Sequence, residues 1–123
     1  SSAYYLGGVI AYANEAKEAM LGVRHETLMA HGAVSAETAQ EMAQGVRQRL
    51  GADIAVAVTG IAGPTGGTAD KPVGLVYIAL SASGVERCEP HRWQGNRFEN
   101  KAQSAEAALR LLLHYLQERD KSG

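Results

Sequence analysis

The 123 residues contain a single cysteine, Cys88. An intramolecular disulfide is thereby excluded, and so is a zinc site built on four cysteines. An excess of charge of one sign is lacking too. Twelve Lys and Arg stand against thirteen Asp and Glu, a formal net charge of −1. A general polyanion-binding surface is not indicated, which leaves room only for a local basic pocket. No apolar run approaches the ~20 residues that span a bilayer. No charged–apolar–small signal peptide opens the sequence. The expectation is a soluble protein of a reducing compartment, hence cytoplasmic, with no membrane partner. Repeats, low-complexity stretches and dividing linkers are missing as well, so the length reads as one domain. Residues 1–118 are assigned to it, and the charged end 119–123 to a solvated tail.

What is present is ordinary globular material: 46% hydrophobic and 20% charged residues, enough for a real core. Strand-like sequence starts at Tyr4 and runs to Tyr12. Its paired glycines, Gly7 and Gly8, suggest a bulge or the close approach of another backbone. Asn14 suits an N-cap, and a short helix follows up to Gly22. Residues 23–34 predict another short helical turn. Ser35 caps the next helix, whose apolar stripe is Ala36, Ala39, Met42, Ala43, Val46 and Leu50, with Gly51 as its stop. Ile54–Thr59 is β-branched and apolar on both faces, the pattern of a central strand. A glycine-rich loop leads to a second long strand, Val73–Ala82. Ser83-Gly84 signals a hairpin into Val85–Trp93, which Pro90 places at an edge. A helix from Phe98 to about Glu118 shows an apolar stripe of Ala102, Ala105, Leu109, Leu112, Leu113 and Leu116. The interleaving implies an α/β fold, with a mixed sheet and helices on both faces.

Two segments suggest chemistry. The first is the loop from Thr59-Gly60 through Gly63, Thr65, Gly66 and Gly67 to Thr68. Open α/β sheets bind ligands beyond the carboxyl ends of their strands. Glycines there can turn backbone N–H groups onto an anion, and the threonines can add hydroxyl donors. The pattern is neither a Walker A loop nor a Rossmann fingerprint. Composition leaves phosphate binding and a flexible strand connection both open. The second segment is Tyr12-x-Asn14-x-x-Lys17. An ammonium at a helix start is disfavoured by the helix dipole, and a neutral lysine can act as a general base. A surface lysine on an amphipathic helix is the plainer alternative. Arg97 has a donor fork suited to a phosphate, or it is a solvated residue at a capped helix start. Lys71 is in reach of the loop's ligand. His25, His31, His91 and His114 show no metal-ligand spacing. Cys88 reads as a strand residue rather than a nucleophile, and Trp93 and Phe98 read as core.

Three stretches together resemble one family. They are YLGGVIAYANEAKEAMLGV, then HGAVSAETAQEMAQGVRQRLGADIAVAVTGIAGPTGGTADKPVGLVYIAL, then WQGNRFENKAQSAEAALRLLLHYL. They are similar to the C-terminal domain of the CinA family of competence/damage-inducible proteins. That domain also occurs alone as a nicotinamide-nucleotide amidase. The resemblance implies a three-layer α/β/α sandwich that forms homodimers or larger homo-oligomers. It implies hydrolysis of nicotinamide mononucleotide to nicotinate mononucleotide and ammonia, by a serine–lysine pair without cofactor or metal. The lysine corresponds to Lys17. The nucleotide would be held by Thr59, Gly60, Gly63, Gly66, Gly67 and Thr68. Tyr12 would position the substrate for catalysis, and Arg97 would contact its phosphate.

The family's serine lies in a Ser-Cys-Thr-Gly-Gly motif that these residues do not contain. Ser1, Ser2 and Ser35 do not match it. The expectation is therefore a domain without its first helix and nucleophile segment, inactive by itself and with an apolar sheet face exposed. The alternative is a non-catalytic nucleotide-binding or assembly module. Direct nucleic-acid binding is not expected, because no basic–aromatic surface is written into the sequence.

Overall fold

The protein is described by a computed structural model that covers residues 4–12 and 22–122. The elements in order are β1 (Leu6–Tyr12), α1 (His25–His31), α2 (Ala36–Leu50), β2 (Ile54–Gly60), β3 (Leu75–Ala82), β4 (Val85–Arg92) and α3 (Arg97–Ser122). The helix expected after Asn14, with Lys17 on it, lies outside the described residues.

The four strands form one sheet in the order β1-β2-β3-β4. β1 runs parallel to β2, with Leu6 opposite Ile54 and Tyr12 opposite Gly60. β3 and β4 are each antiparallel to the strand before them. The mixed sheet is as expected, and so are the edge position of β4 and the tight Ser83-Gly84 turn, which pairs Ala82 with Val85. β2 is buried along almost its whole length, because it is an interior strand with a helix on each face.

Alternation along the strands sends small residues to one face and branched ones to the other. Ala11, Ala57 and Ala79 meet Ala39, Met42 and Ala43 of α2. Among the buried residues of this cluster Met42 is the one long side chain, set among alanines of the helix and the sheet. On the opposite face Ile54 and Leu80 pack with Tyr115, and Val58, Val76 and Ile78 pack with Ala107 of α3. The result is a three-layer α/β/α sandwich. α2 is closed at both ends as its sequence predicts. Ser35 Oγ accepts from the Thr38 N–H at 3.1 Å. Gly51 takes the left-handed conformation (φ 61°) and donates to the carbonyls of Arg47 and Gln48.

Several expectations are corrected. Gly7 and Gly8 form no bulge, since the β1–β2 register is continuous. A Cβ on Gly7 would sit 3.1 Å from side-chain carbons of Val46 and Leu50, so a helix approaches there, while a Cβ on Gly8 would meet backbone, the Val56 carbonyl oxygen at 3.4 Å. β3 starts at Leu75, not Val73, because the Leu75 N–H closes a turn onto the Pro72 carbonyl (3.1 Å). α3 continues to Ser122, beyond the expected end near Glu118. Arg119 holds that last part down, donating to the Tyr115 hydroxyl at 3.3 Å and lying over the Tyr4 ring.

The largest correction concerns the rotation of α3. The face turned to the sheet carries Asn100, Ser104, Ala107 and Tyr115, all buried, with Leu111 half-buried. Of the expected stripe, Ala102, Ala105, Leu109 and Leu113 are exposed, whereas Leu112 and Leu116 are half-buried and pack against the cluster of Ile54, Leu80 and Tyr115. Leu109 and Leu113 are exposed apolar side chains, as are Leu6 and Ile10 of β1, exposed by 46% and 52%. A groove of about 430 Å³ between β1, β2 and Ala108 lies on this side of the sheet. Phe98 is not core either, being 80% exposed. Trp93 is half-buried and stacks on His91 at 4.7 Å between ring centres.

Candidate functional site

Residues 61–74 leave β2 at Gly60 and return to β3, so the neck of this loop must close. It closes through Ile61 N–H to the Leu75 carbonyl (3.0 Å) and Gly74 N–H to the Ile61 carbonyl (2.7 Å). The Trp93 N–H then bonds the Gly74 carbonyl at 2.9 Å and ties the neck to β4. This packing accounts for two glycines. Gly74 has φ 96°, and a Cβ there would fall 2.0 Å from the Trp93 carbonyl oxygen. A Cβ on Gly60 would fall 2.6 Å from Val76 Cγ2.

The first part of the loop is bound to the start of α3. Asn100, fully buried, donates from Nδ2 to the Ala62 carbonyl (3.0 Å) and accepts the Gly95 N–H at Oδ1 (3.0 Å). Arg97 Nη1 donates to the Gly63 carbonyl at 3.0 Å. The peptide bond between Gly63 and Pro64 is cis. Ser104 braces this arrangement, donating to the Asn100 carbonyl (2.9 Å) and accepting from Trp93 Nε1 (2.8 Å). The helix start is a reciprocal capping box. Asn96 Oδ1 accepts the Glu99 N–H and Glu99 Oε1 accepts the Asn96 N–H, both at 2.8 Å.

Between loop and helix lies a cavity of about 560 Å³ lined by Ala62, Gly63, Pro64, Val73, Gly95, Asn96, Arg97 and Phe98. That size falls within the ~300–1,000 Å³ typical of small-ligand sites. The lining is apolar apart from Asn96, Arg97 and backbone amides, which is also the usual balance of such sites.

Two of the candidate residues, Gly63 and Arg97, lie together on this cavity. Tyr12 is buried at the end of β1, opposite Gly60, with the Lys101 ammonium 5.2 Å from its ring centre. Gly60 is thus close to Tyr12 and forms the root of the loop. Thr59 is buried and donates its hydroxyl to the Ala33 carbonyl (2.7 Å), between α1 and α2. Gly66, Gly67 and Thr68 occupy the exposed outer bend. There Gly67 packs on Val73, and Thr68 forms a turn with Lys71 through bonds of 2.8 and 3.1 Å. Lys71 donates to the His31 carbonyl at 2.5 Å and so finishes α1. Lys17 lies outside the described residues.

The remaining reactive side chains have structural surroundings. Burial pushes the Cys88 thiol up to about 11, and the nearby Glu37 and Glu89 carboxylates add to the rise. A thiol held in that state is a poor nucleophile. His114 is exposed and pairs with Glu118 at 2.8 Å. Asn100 and Phe98 are the site residues that sequence reasoning missed. The available signal for Asn100 was a second stripe on α3, Asn100, Ser104, Ala107, Leu111 and Tyr115, with spacings of a helix face but two polar members.

Fold and cavity together define a three-layer α/β/α domain with a ligand-sized cleft where a glycine-rich loop meets a helix start. The sequence matches the CinA C-terminal domain family over residues 1–116, and the chain belongs to that family. It is 53% identical over 117 residues to a putative competence-damage inducible protein of Halothermothrix orenii, a match covering 94% of this chain and 28% of that protein. It is 52% identical over 124 residues to a CinA-like protein of Chlorobium chlorochromatii, covering 99% and 29%. The chain thus spans less than a third of the length of these curated relatives. Among solved structures, competence/damage inducible protein CihA from Agrobacterium tumefaciens superposes with a TM-score of 0.83 at 35% identity, covering 90% of this chain and 84% of that one. A CinA superfamily protein from Klebsiella pneumoniae 700603 gives 0.84 at 30% identity, covering 94% and 88%. Among the described residues no helix is long and apolar enough to cross a membrane.

Proposed function

We propose that this chain is the substrate-holding part of an amidohydrolase that converts nicotinamide mononucleotide to nicotinate mononucleotide and ammonia. The observation that carries the reading is the cavity between the Gly60–Gly74 loop and the start of α3, with Arg97 on its wall. Its volume and mixed lining suit a mononucleotide, and an arginine fork suits a phosphate. Family membership supports the same reading through the resemblance of Lys17, Tyr12 and the loop.

In this reading a serine Oγ attacks the carboxamide carbon while Lys17, as the free amine, takes the hydroxyl proton. The C–N bond then breaks, and the lysine returns the proton to the departing ammonia. Water later hydrolyses the serine ester, releasing nicotinate mononucleotide and restoring the serine hydroxyl. Thr59, Gly60, Gly66, Gly67 and Thr68 shape the loop that holds the nucleotide, and Tyr12 positions it from the end of β1. Because the 123 residues do not contain the Ser-Cys-Thr-Gly-Gly motif, turnover is expected only from a chain that carries it. The test uses such an extended chain with nicotinamide mononucleotide. Lys17→Ala should abolish turnover with little change in substrate affinity. Arg97→Ala should mainly raise KM, by roughly tenfold or more for a lost charged hydrogen bond. Full activity in Lys17→Ala would remove the mechanism.

A homo-oligomer belongs to the same reading, and the exposed apolar side chains Leu6, Ile10, Leu109 and Leu113 support it. Sedimentation equilibrium that returns a monomer at all concentrations contradicts it.

A further inference from the structure

Among the described residues Phe98 belongs to none of the hydrophobic clusters of the core. It is 80% exposed at the second position of α3. The helix start is already closed by Asn96 and Glu99, and it is fixed to the loop by Arg97 and Asn100. Yet Phe98 lines the cavity beside Arg97. Two further apolar groups share the wall, Pro64 and the 36%-exposed Val73. A Cβ on Gly63 would touch Val73 Cγ1 at 2.6 Å, so Val73, Gly63 and Arg97 form one continuous surface. One wall thus offers an arginine for an anion next to an aromatic face and an aliphatic edge for a flat ring.

We propose that Phe98 is a specificity-determining residue that stacks on the pyridine ring of the bound nucleotide while Arg97 takes the phosphate. This rests on the nucleotide-binding reading above and adds to it which part of the ligand each residue reads. The chemistry favours this division. The ring of a nicotinamide nucleotide is quaternised at nitrogen and carries a positive charge, which an arginine repels and an aromatic face attracts. Stacking of a flat heterocycle on an aromatic side chain is a strong and sequence-tolerant source of affinity.

The test titrates the chain with nicotinamide mononucleotide and, separately, with ribose 5-phosphate, which has the phosphate and no ring. Phe98 is exposed, so Phe98→Ala should fold as the parent does. It should bind the nucleotide roughly tenfold more weakly, at the lower end of measured stacking effects, and ribose 5-phosphate unchanged. Arg97→Ala should weaken both compounds. Phe98→Trp should restore nucleotide affinity and show saturable quenching of the added indole by the nucleotide but not by ribose 5-phosphate. Equal affinity of Phe98→Ala and parent for the nucleotide overturns the proposal and leaves the site standing. So does a loss of self-association in Phe98→Ala with nucleotide affinity intact, which would assign Phe98 to a subunit contact. If the parent binds neither compound, the binding reading falls and the proposal falls with it.

Discussion

Asn100 is the side chain on which the loop depends. It is fully buried, it bonds the Ala62 carbonyl and the Gly95 N–H at once, and its own carbonyl accepts from Ser104. Replacing it with alanine takes the partner from the buried Ala62 carbonyl and from the part-buried Gly95 N–H. Each such loss costs ~1–3 kcal/mol. Asn100→Ala is therefore expected to lower unfolding stability by about 2–4 kcal/mol in urea titration. A loss below about 0.5 kcal/mol would mean that water replaces both partners. The sequence does not show this role. A hydrophobic scale ranks Asn100 and Ser104 as polar, so the best apolar stripe on α3 falls on Ala102, Ala105, Leu109, Leu112, Leu113 and Leu116, of which only Leu112 and Leu116 pack on the core. The partners of Asn100 and Ser104, Ala62 of the loop and Trp93 beyond the end of β4, meet them only in the folded sheet. Phe98 fails for the complementary reason. An aromatic reads as core wherever it stands, and only the cavity gives it another use.

At the scale of elements, local chemistry made most of the fold legible. Ser35 and Gly51 bound α2, Ser83-Gly84 turns the hairpin, and Pro90 lies on the edge strand, each through an effect confined to a few residues. The boundaries set by distant contacts were the ones missed. α3 runs on because Arg119 is held by Tyr115 and Tyr4, and β3 starts late because its first residues belong to the loop neck. The join between α1 and α2 gives a pH prediction. Burial alone would raise the Glu41 carboxyl, but bonds from the Thr27 hydroxyl and from the Arg24 N–H and guanidinium outweigh it and hold the group below its usual value. A carboxyl lowered in the folded state adds stability above its unfolded pKa, and that stability is lost as pH falls through the folded value. The parent should therefore be more stable than Glu41→Gln near pH 7. That difference should shrink as pH falls from about 5 to about 3. A difference that stays constant over this range would remove the ion-pair account of this join.

For the whole molecule, the three-layer sandwich was expected from the interleaving of strands and helices and from the family resemblance, and solved relatives superpose on it. The site was legible in part. The glycine-rich loop at the end of β2 could be located, because its composition marks it. That Gly63 and Arg97 face one cavity could not, since they are joined only through the packing of α3 against the loop. Under the proposed function this domain holds nicotinamide mononucleotide and the hydrolytic serine belongs to the Ser-Cys-Thr-Gly-Gly motif. The most direct measurement is ammonia release from nicotinamide mononucleotide by the folded 123-residue chain, beside a folded chain extended upstream to include that motif. The account predicts release by the extended chain alone. Release by the short chain would contradict the assignment of the nucleophile, and release by neither would contradict the amidase reading itself.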